Sequence, residues 1–324
     1  RGLLALNLTV AAAGAMVIVN TVVLVRADFG LGQSEVGWTL AAYGFGSMVA
    51  ALALPRLLDT AVNDRAAMLA ECLQSIVEQT VPPHQIIVVD DGSTDGSAAL
   101  LDRWEKMEPR LRVLRQSHAG IIAALNHGLQ VCRGRYVARM DADDHSHPER
   151  LARQASLLDA DASLAVASCL VRGFPAGQVR GGFQVYLSWL NSLVTPEQIS
   201  REIFVESPLA HPSVMFRREV VLEAGGYQEH GWPEDYDLWL RLHLLGARFA
   251  KVPQILFDWR ESPARLTRTD SRYALENFLR MKAHYLVQGP LMGRATVLLW
   301  GAGMMGRRMS KHLLREGVPL AAFF

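Results

Sequence analysis

Short apolar runs alternate with amphipathic segments between residues 68 and 140, and this alternation constrains the fold more than any other feature. Ile86–Val89 is a continuous apolar run of mostly β-branched type, which is typical of a parallel strand buried on both faces. Strands that alternate with helices predict an α/β fold with a mostly parallel sheet flanked by helices. The predicted elements are Met68–Gln79, Gln85–Val89, Ala98–Met107, Leu111–Leu114, Gly120–Val131 and Tyr136–Met140.

The composition sets limits on function. The 324-residue chain is 50% hydrophobic, which is enough for a sizeable core and suggests about two domains. A formal net charge of +1 gives no electrostatic basis for binding nucleic acid. Cys72, Cys132 and Cys169 are far apart in the sequence. Their spacing argues against a disulfide framework or a zinc site and predicts buried thiols in a reducing compartment.

The first residues of the chain contain two long apolar runs, Leu3–Val25 and Val36–Leu54. Each has about the 20 residues that a helix needs to cross a bilayer, so we predict a hydrophobic two-helix hairpin. Arg1, Arg56 and Arg65 would lie on one side of it, and the positive-inside tendency makes that side cytoplasmic. The alternative is a hydrophobic hairpin inside a soluble core.

The last residues, 294–324, have the pattern of a β-α-β unit. Ala295–Trp300 is strand-like, the glycine-rich segment Gly301–Gly306 follows it, and a helix and a second strand-like run complete the pattern. This is the opening of a dinucleotide-binding, Rossmann-like fold. The acidic residue that would bind a ribose falls at or beyond the end of the chain, so we expect a truncated structural remnant more than a cofactor site.

Two acidic clusters follow two of the predicted strands. Asp90-Asp91 comes directly after Gln85–Val89, and Asp141–Asp144 comes directly after Tyr136–Met140. Ligands of open parallel sheets bind at the carboxyl ends of the strands, and clustered carboxylates are tolerated best where a cation joins them. Oxygen ligands of this kind suit magnesium or manganese with a diphosphate. Taken alone, the segment Asp90–Ser97 is more typical of a solvated turn or a helix N-cap, whereas two such clusters at successive strand ends favour a ligand site.

The segments VVDDGSTDGS and YVARMDADDHSHPER, followed by HPSVMFRREVVLEAGGYQE and PEDYDLWLRL, resemble those of a family 2 glycosyltransferase of the GT-A fold. The resemblance covers about residues 70–290. It implies that Asp91, with Asp90 beside it, hydrogen-bonds the base or ribose of a nucleotide-sugar donor. It further implies that Asp141 lies near the ribose and that Asp143 binds a divalent metal, Mn or Mg, at the two phosphates.

The same resemblance implies roles on the acceptor side. Glu234-Asp235 matches the family's acidic pair near the acceptor, with Asp235 as the catalytic base, and Arg260 would offset the charge of the leaving diphosphate. One base opposite one leaving group fits direct displacement with inversion. Without the resemblance, Glu234-Asp235 would be interpreted as the acidic first turn of a helix.

Weaker candidates surround these residues. His145 and His147, next to Asp144, could extend a metal site but are more typical of solvated loop histidines, and His211-Pro212 is more typical of a structural turn. Three tryptophans have two possible roles: they could form an aromatic platform for a sugar acceptor, or they could pack in the core. They are Trp232, Trp239 and Trp259.

The amino-terminal part resembles a fragment of a major facilitator superfamily transporter over residues 1–69, on LLALNLTVAAAGAMVIVNTVVLVR, GFGSMVAALALPRLLD and DRAAML. Two spans cannot form the midplane site of a transporter, so no transport is expected.

The glycosyltransferase family normally opens with a buried strand, but Pro55–Asp64 has no β-branched run. We therefore expect a junction between Leu69 and Glu71, a missing first strand and impaired activity.

These observations predict an inverting, metal-dependent glycosyltransferase of hexosyl type on the cytoplasmic side of a membrane, tethered by the hairpin. Its acceptor would be a saccharide, a lipid-linked sugar or another hydroxyl, as in cell-envelope polysaccharide synthesis. The expected domains are residues 1–69, 70–290 and 294–324. The alternatives are a transporter fragment with an inactive glycosyltransferase-like passenger, and a nucleotide-binding module without catalysis.

Overall fold

A computed structural model describes residues 65–179, 181–262 and 265–323. The predicted hairpin within residues 1–69 lies outside this range, apart from its last five positions. None of the helices within the described ranges is long and apolar enough to span a membrane.

The described chain alternates helices and strands as the sequence predicts. The helices are 65–77 (α1), Ser97–Met107 (α2), Ile121–Val131 (α3), Arg150–Ala160 (α4), Gly181–Ser192 (α5), Pro196–Glu202 (α6), Arg218–Glu223 (α7), Glu234–Leu244 (α8), Leu266–Thr269 (α9), Leu275–Gln288 (α10) and Met304–Arg315 (α11). The strands are Ile86–Asp90 (β1), Leu111–Arg115 (β2), Tyr136–Ala138 (β3), His145–Ser146 (β4), Leu164–Phe174 (β5), Met215–Arg217 (β6), Arg248–Arg260 (β7), Val297–Leu299 (β8) and Leu320–Phe323 (β9).

β1 and β2 form a parallel pair in which Ile86 lies opposite Leu111 and Asp90 opposite Arg115. The helices α1 and α2 cover this pair through a small core that contains Leu73, Ile86 and Leu101. The two strands end side by side, so the acidic residues that follow β1 lie next to the loop that follows β2.

A second sheet has five strands in the order β3-β6-β5-β7-β4. The prediction of a mostly parallel sheet is wrong for this sheet. Only β5 and β7 pair in parallel. β6 runs antiparallel to both β3 and β5, and β4 runs antiparallel to β7. β4 and β6 have two and three residues, which is too short to give a periodic signal in the sequence.

The largest core packs α8 against the five-stranded sheet. β5 begins with six consecutive buried residues from Leu164 to Cys169, as expected for a strand covered on both faces. Tyr236 and Trp239 of α8 are fully buried and pack in the same cluster as Val166 and Phe216. This packing fixes the amino terminus of α8, where Glu234 and Asp235 lie.

The carboxy-terminal residues form β8, α11 and β9, with β8 and β9 parallel. Leu313 of α11 packs against Ala283 of α10, which attaches the unit to the preceding helix. Whether its glycine-rich turn binds a ligand stays a prediction.

Candidate active site

Asp91, just after β1, holds the loop that follows β2. Its carboxylate accepts hydrogen bonds from Gln116 Nε2 (2.8 Å) and from the backbone N–H groups of Ala119 (2.8 Å) and Gly120 (2.9 Å), and His118 Nδ1 lies 2.9 Å away. Burial alone would raise the pKa of Asp91, but these donors hold it below its ordinary value. The carboxylate is thus ionised and fixes the loop, and its predicted contact with a nucleotide stays a prediction.

Asp90, the last residue of β1, is buried and shapes the turn that follows. Its Oδ1 accepts a hydrogen bond from the backbone N–H of Ser93 at 2.8 Å. Gly92 has φ of 80°, and a Cβ there would lie 3.0 Å from the backbone nitrogen of His118. The turn therefore requires glycine, and the two carboxylates stabilise its geometry.

Asp141 is bound to a guanidinium that the sequence analysis did not select. Arg139 Nη2 lies 2.5 Å from Asp141 Oδ1, and only 9% of the Arg139 side chain is exposed. Arg139 Nη1 is buried and has no hydrogen-bond partner among the described residues. A buried cation with a free donor is costly unless a further acceptor joins it, so this nitrogen is available to a bound molecule.

Asp143 and Asp144 are held close to the end of β7. Arg260 donates from its backbone N–H to Asp144 Oδ1 (2.7 Å) and from Nε to the Asp143 carbonyl (2.6 Å). Burial, and then the charge of Asp141, raises the pKa of Asp143, and the pKa of Asp144 rises well above its ordinary value from the same causes and from Asp143. Asp144 Oδ2 is buried without a partner among the described residues. The cluster therefore has excess negative charge that a cation would neutralise.

Two arginines supply positive charge beside this cluster. Arg260 and Arg265 both lower the pKa of Asp143 against the larger effect of burial. The Arg265 guanidinium lies 4.2 Å from the ring of Trp259 and 5.0 Å from that of Phe183, and Arg260 lies 4.3 Å from the ring of Phe174. Stacking of this kind holds a guanidinium in place. Each arginine also has a carboxylate partner: Arg265 Nη1 lies 3.0 Å from the buried Glu261 Oε2, and Arg260 Nη2 lies 3.3 Å from the exposed Glu71 Oε2. Because an exposed ion pair is weak, Arg260 is the better suited of the two to a diphosphate.

Glu234 begins α8 and is almost completely buried. Its two carboxylate oxygens accept the hydroxyl of Tyr273 at 2.9 and 2.7 Å. No sequence motif identifies this tyrosine, which lies 39 residues further along the chain. The contact fixes the carboxylate of Glu234 beside the next residue.

Asp235 lies deep in the protein, although part of its side chain reaches solvent. Its Oδ1 accepts the backbone N–H of Tyr236 at 2.7 Å. Burial, and then the charge of Glu234, raises the pKa of Asp235 to about 7. A carboxyl with a pKa near the working pH can both accept and release a proton, which is the property of a general base.

Arg139 and Tyr227 connect the two halves of the site. Burial raises the pKa of the Tyr227 hydroxyl, with further effects from Arg139, Asp235, Glu234 and Asp141, so all four charges lie near this one residue. The structure thereby brings together the Asp141–Asp144 cluster and the Glu234-Asp235 pair. Within the described residues no hydrogen bond or ion pair joins Asp90-Asp91 to either group.

A second possible metal site lies nearby. The ligand atoms of His145, His147 and Asp258 lie within 4.8 Å of one another. His145 is in β4, opposite Asp258 of β7, and His147 directly follows β4. Arg172 already binds both oxygens of Asp258, at 2.8 and 2.7 Å, so the carboxylate has a cation without a metal. Asp143 is not in this set, and its metal-binding role stays a prediction.

The remaining candidates are structural. His211 is buried, and its Nε2 lies 2.9 Å from the Tyr227 hydroxyl, within the predicted turn. Trp239 is fully buried, and Trp232 donates its ring N–H to Asp237 Oδ1 at 2.7 Å, so both pack in the core. Trp259, beside Arg265, is the one tryptophan of the three that lines the charged site.

The chain is similar to known sugar-transferring proteins. Residues 60–225 match the family model for Glycosyl transferase family 2. The amylovoran biosynthesis glycosyltransferase AmsE of Erwinia amylovora is 34% identical over 201 residues, which cover 61% of this chain and 72% of the relative. The UDP-Gal:alpha-D-GlcNAc-diphosphoundecaprenol beta-1,3-galactosyltransferase of Escherichia coli is 28% identical over 226 residues, covering 69% and 79%.

A solved structure is similar in fold. The crystal structure of S. aureus TarS 1-349 in complex with UDP-GlcNAc aligns with 76% of this chain and 68% of that one, with a TM-score of 0.55 and 19% identity. The family match covers half of the chain and contains both acidic clusters, and AmsE is matched over most of its length. The chain therefore belongs to glycosyltransferase family 2.

Proposed function

We propose that this protein transfers a hexose from a nucleoside-diphosphate donor to an acceptor hydroxyl with inversion at the sugar carbon. The observation that carries the proposal is Asp235, a carboxyl with a pKa of about 7, in the same site as a carboxylate cluster whose pKa values are raised and which two arginines flank. The two halves provide a base for the acceptor and counter-charge for the leaving group, which are the requirements of a direct displacement.

On the acceptor side, Asp235 takes the proton of the attacking hydroxyl. Glu234 and its bond from Tyr273 hold the first turn of α8, so that the Asp235 carboxylate keeps its orientation. The charge of Glu234 favours the protonated product form of Asp235, which makes it a stronger base. A positioned base of this type contributes about 10²–10⁴-fold in rate.

On the donor side, Arg260 and Arg265 offset the negative charge of the diphosphate. Asp143 and Asp144 would hold a divalent metal, Mn or Mg. Their pKa values are raised, and Asp144 Oδ2 is buried without a partner among the described residues, so a cation would stabilise the ionised carboxylates. When bound, such an ion acts as a Lewis acid that stabilises the leaving phosphate oxygen. Asp141, whose carboxylate is paired with Arg139, would accept a hydrogen bond from a ribose hydroxyl.

The substrates follow from the relatives as proposals. The Escherichia coli relative uses UDP-Gal and a lipid-linked acceptor, the Erwinia amylovora relative acts in amylovoran biosynthesis, and the TarS structure holds UDP-GlcNAc. We therefore propose a UDP-sugar donor, a saccharide or lipid-linked acceptor in cell-envelope polysaccharide synthesis, and work at the cytoplasmic face of a membrane. We also propose that the altered amino-terminal region lowers activity.

Calorimetric titration with UDP, with and without manganese, tests the donor half. We expect metal-dependent binding by the full chain and its loss in Asp143→Ala, while Asp102→Ala on the exposed face of α2 serves as a matched control. Transfer from a UDP-sugar should be lost in Asp235→Asn with UDP binding intact. If the folded chain binds none of the four nucleotides UDP, GDP, CDP and dTDP, the proposal is contradicted.

A further inference from the structure

Three side chains that bind metals elsewhere meet where β4 pairs with β7. His145 Nδ1 lies 3.8 Å from Asp258 Oδ2, and His147 Nε2 lies 3.2 Å from Asp258 Oδ1. All three ligand atoms lie within 4.8 Å of one another, and neither Asp143 nor Asp144 belongs to the group. The cluster is therefore distinct from the carboxylates of the donor site, although it follows them directly in the sequence.

The backbone places both imidazoles on one side of β4. The N–H of His147 donates to the Leu256 carbonyl at 3.0 Å, so the chain stays extended to this residue. Side chains two positions apart on an extended chain share a face, whereas Ser146 points the other way, where its Oγ accepts Gln79 Nε2 at 3.1 Å. The histidine face is thus turned away from α1, the helix that Gln79 follows. The side chains of His145 and His147 are 45% and 29% exposed, which gives an ion a path of entry.

The imidazole nitrogens that face Asp258 make no hydrogen bonds. His145 Nδ1 and His147 Nε2 are buried atoms, and neither has a hydrogen-bond partner among the described residues. His147 Nε2 is close enough to Asp258 Oδ1, but the angle between them is unsuitable. A buried polar atom without a partner is costly. A metal ion between the three side chains would use the lone pairs of both nitrogens.

Arg172 holds the carboxylate of Asp258 in position. Its Nε and Nη2 donate to Oδ1 and Oδ2 at 2.8 and 2.7 Å. A carboxylate has about four acceptor positions, so this contact leaves room for a metal on the side of the histidines. Carboxylates that bind metals are usually held by such outer hydrogen bonds. The charge of Arg172 opposes that of an ion, so the two imidazoles must supply most of the affinity.

The ligand set favours a transition metal over magnesium or manganese. Two imidazoles and one carboxylate with an open fourth position are typical of zinc, whereas magnesium and manganese prefer oxygen ligands. A tetrahedral ion with bonds of about 2.1 Å holds its ligand atoms about 3.4 Å apart. The two distances to Asp258 are already 3.8 and 3.2 Å. Small rotations of the side chains would therefore complete the site.

We propose that His145, His147 and Asp258 bind a divalent transition-metal ion of the zinc class. The ion joins β4 to β7 where both strands lead into the donor site. Asp144 directly precedes His145, and the backbone N–H of Arg260, two residues after Asp258, donates to Asp144 Oδ1 at 2.7 Å. The bound ion thereby stabilises the strand pairing that positions Asp144.

Calorimetric titration of the purified full chain with zinc chloride tests the proposal. We expect micromolar or tighter binding, weakened by at least about 100-fold in the double variant His145→Gln/His147→Gln, which loses two of the three ligands. His84→Gln is the matched control, because His84 is an exposed histidine outside the cluster. Asp143→Ala should retain the zinc site, and excess magnesium should not compete for it.

Thermal unfolding gives a second readout and checks that the double variant folds. His145 and His147 are partly exposed, so their replacement should leave Tm in the absence of zinc nearly unchanged. Excess zinc should raise Tm for the full chain and for His84→Gln, because an ion that binds only the folded state stabilises it. The double variant should show no such rise.

Two results would overturn the proposal. One is a zinc isotherm, with or without binding, that is the same for the full chain and the double variant. The other is loss of zinc binding in Asp143→Ala with the double variant unaffected, which would place the ion among the carboxylates of the donor site. Neither readout depends on sugar transfer or UDP binding, so failure here and failure of the proposed function are distinguishable.

Discussion

At the scale of single residues, the ionisation of Asp235 sets the pH dependence of the proposed reaction. Its pKa of about 7 lies above the ordinary value of 3.8, so the carboxyl is largely protonated below neutrality and unable to act as a base. We expect kcat/KM to rise as the pH increases through about 7 and then to level off. A pH profile of transfer from a UDP-sugar measures this, and a rate that is flat from acid to neutral pH would exclude Asp235 as the base.

Arg139, which is paired with Asp141, should lower the pKa of Asp235. Its positive charge lowers the pKa of Asp235 against the larger effect of burial and of Glu234. In Arg139→Met we expect the acid limb of the pH profile to move to higher pH, with roughly a tenfold loss of kcat/KM below neutrality, where each pKa unit counts tenfold.

Arg139→Lys is the control, because it retains the charge but loses the paired geometry at Asp141. It should keep the position of the limb and weaken donor binding instead. An Arg139→Met profile that falls uniformly at all pH values would mean that this arginine acts on folding alone.

Some of the site residues can be identified from the sequence around them, and others only from the fold. Asp90, Asp91 and Asp141–Asp144 follow apolar runs directly, so a strand-end rule selects them from the sequence. Tyr273 and Arg139 have no such mark: Tyr273 reaches Glu234 across 39 positions, and Arg139 has the appearance of an ordinary strand residue. Only the fold shows which distant groups their side chains meet, although a charged residue inside an apolar strand was a usable hint for Arg139.

At the scale of elements, α4 is attached to the sheet by a buried cation. Arg150 is 1% exposed, and its Nη2 donates to the carbonyls of Arg139 (2.7 Å), Pro212 (3.1 Å) and Val214 (3.3 Å). Burial lowers the pKa of Arg150 to about 10, so it remains charged at neutral pH.

Replacing Arg150 with methionine leaves these carbonyls without a donor. We expect the free energy of unfolding to fall by about 3 kcal/mol, as for other buried groups that lose a charged partner. Arg153→Met on the same helix is the matched control: its pair with Glu149 is exposed, so a change within about 0.5 kcal/mol is expected. Equal effects in urea denaturation would contradict the structural role of Arg150.

The elements with long periodic signals could be predicted, and the directions of the strands could not. Ile86–Asp90 and Ile121–Val131 lie within one residue of their predicted ranges. β6 has three residues, and its antiparallel direction depends on α5 and α6, which bring the chain back to the opposite end of the sheet. That return is a property of tertiary packing, so a strand-and-helix pattern alone suggests a more parallel sheet than the one that forms.

At the scale of the whole described chain, two separate cores should differ in stability. The core around α8 contains 20 buried residues, whereas the one beneath β1 and β2 contains six. Buried apolar area is the main stabilising term, so regions with less of it open more easily. In native-state hydrogen exchange we expect Val166 and Leu238 to exchange slowest and Val88 and Val113 measurably faster.

Gln79 joins the layer of β1 and β2 to the larger sheet. Its Nε2 donates to Ser146 Oγ (3.1 Å) and the His147 carbonyl (2.8 Å), and its Oε1 accepts the backbone N–H of Leu151 (3.0 Å). Gln79→Leu keeps the size but removes these three bonds, together with the one that Nε2 donates to the Ser75 carbonyl (2.9 Å), so exchange at Val88 and Val113 should accelerate about fivefold or more while that at Val166 changes little. Equal acceleration at all three amides would instead mean that the two cores open together, as one cooperative unit.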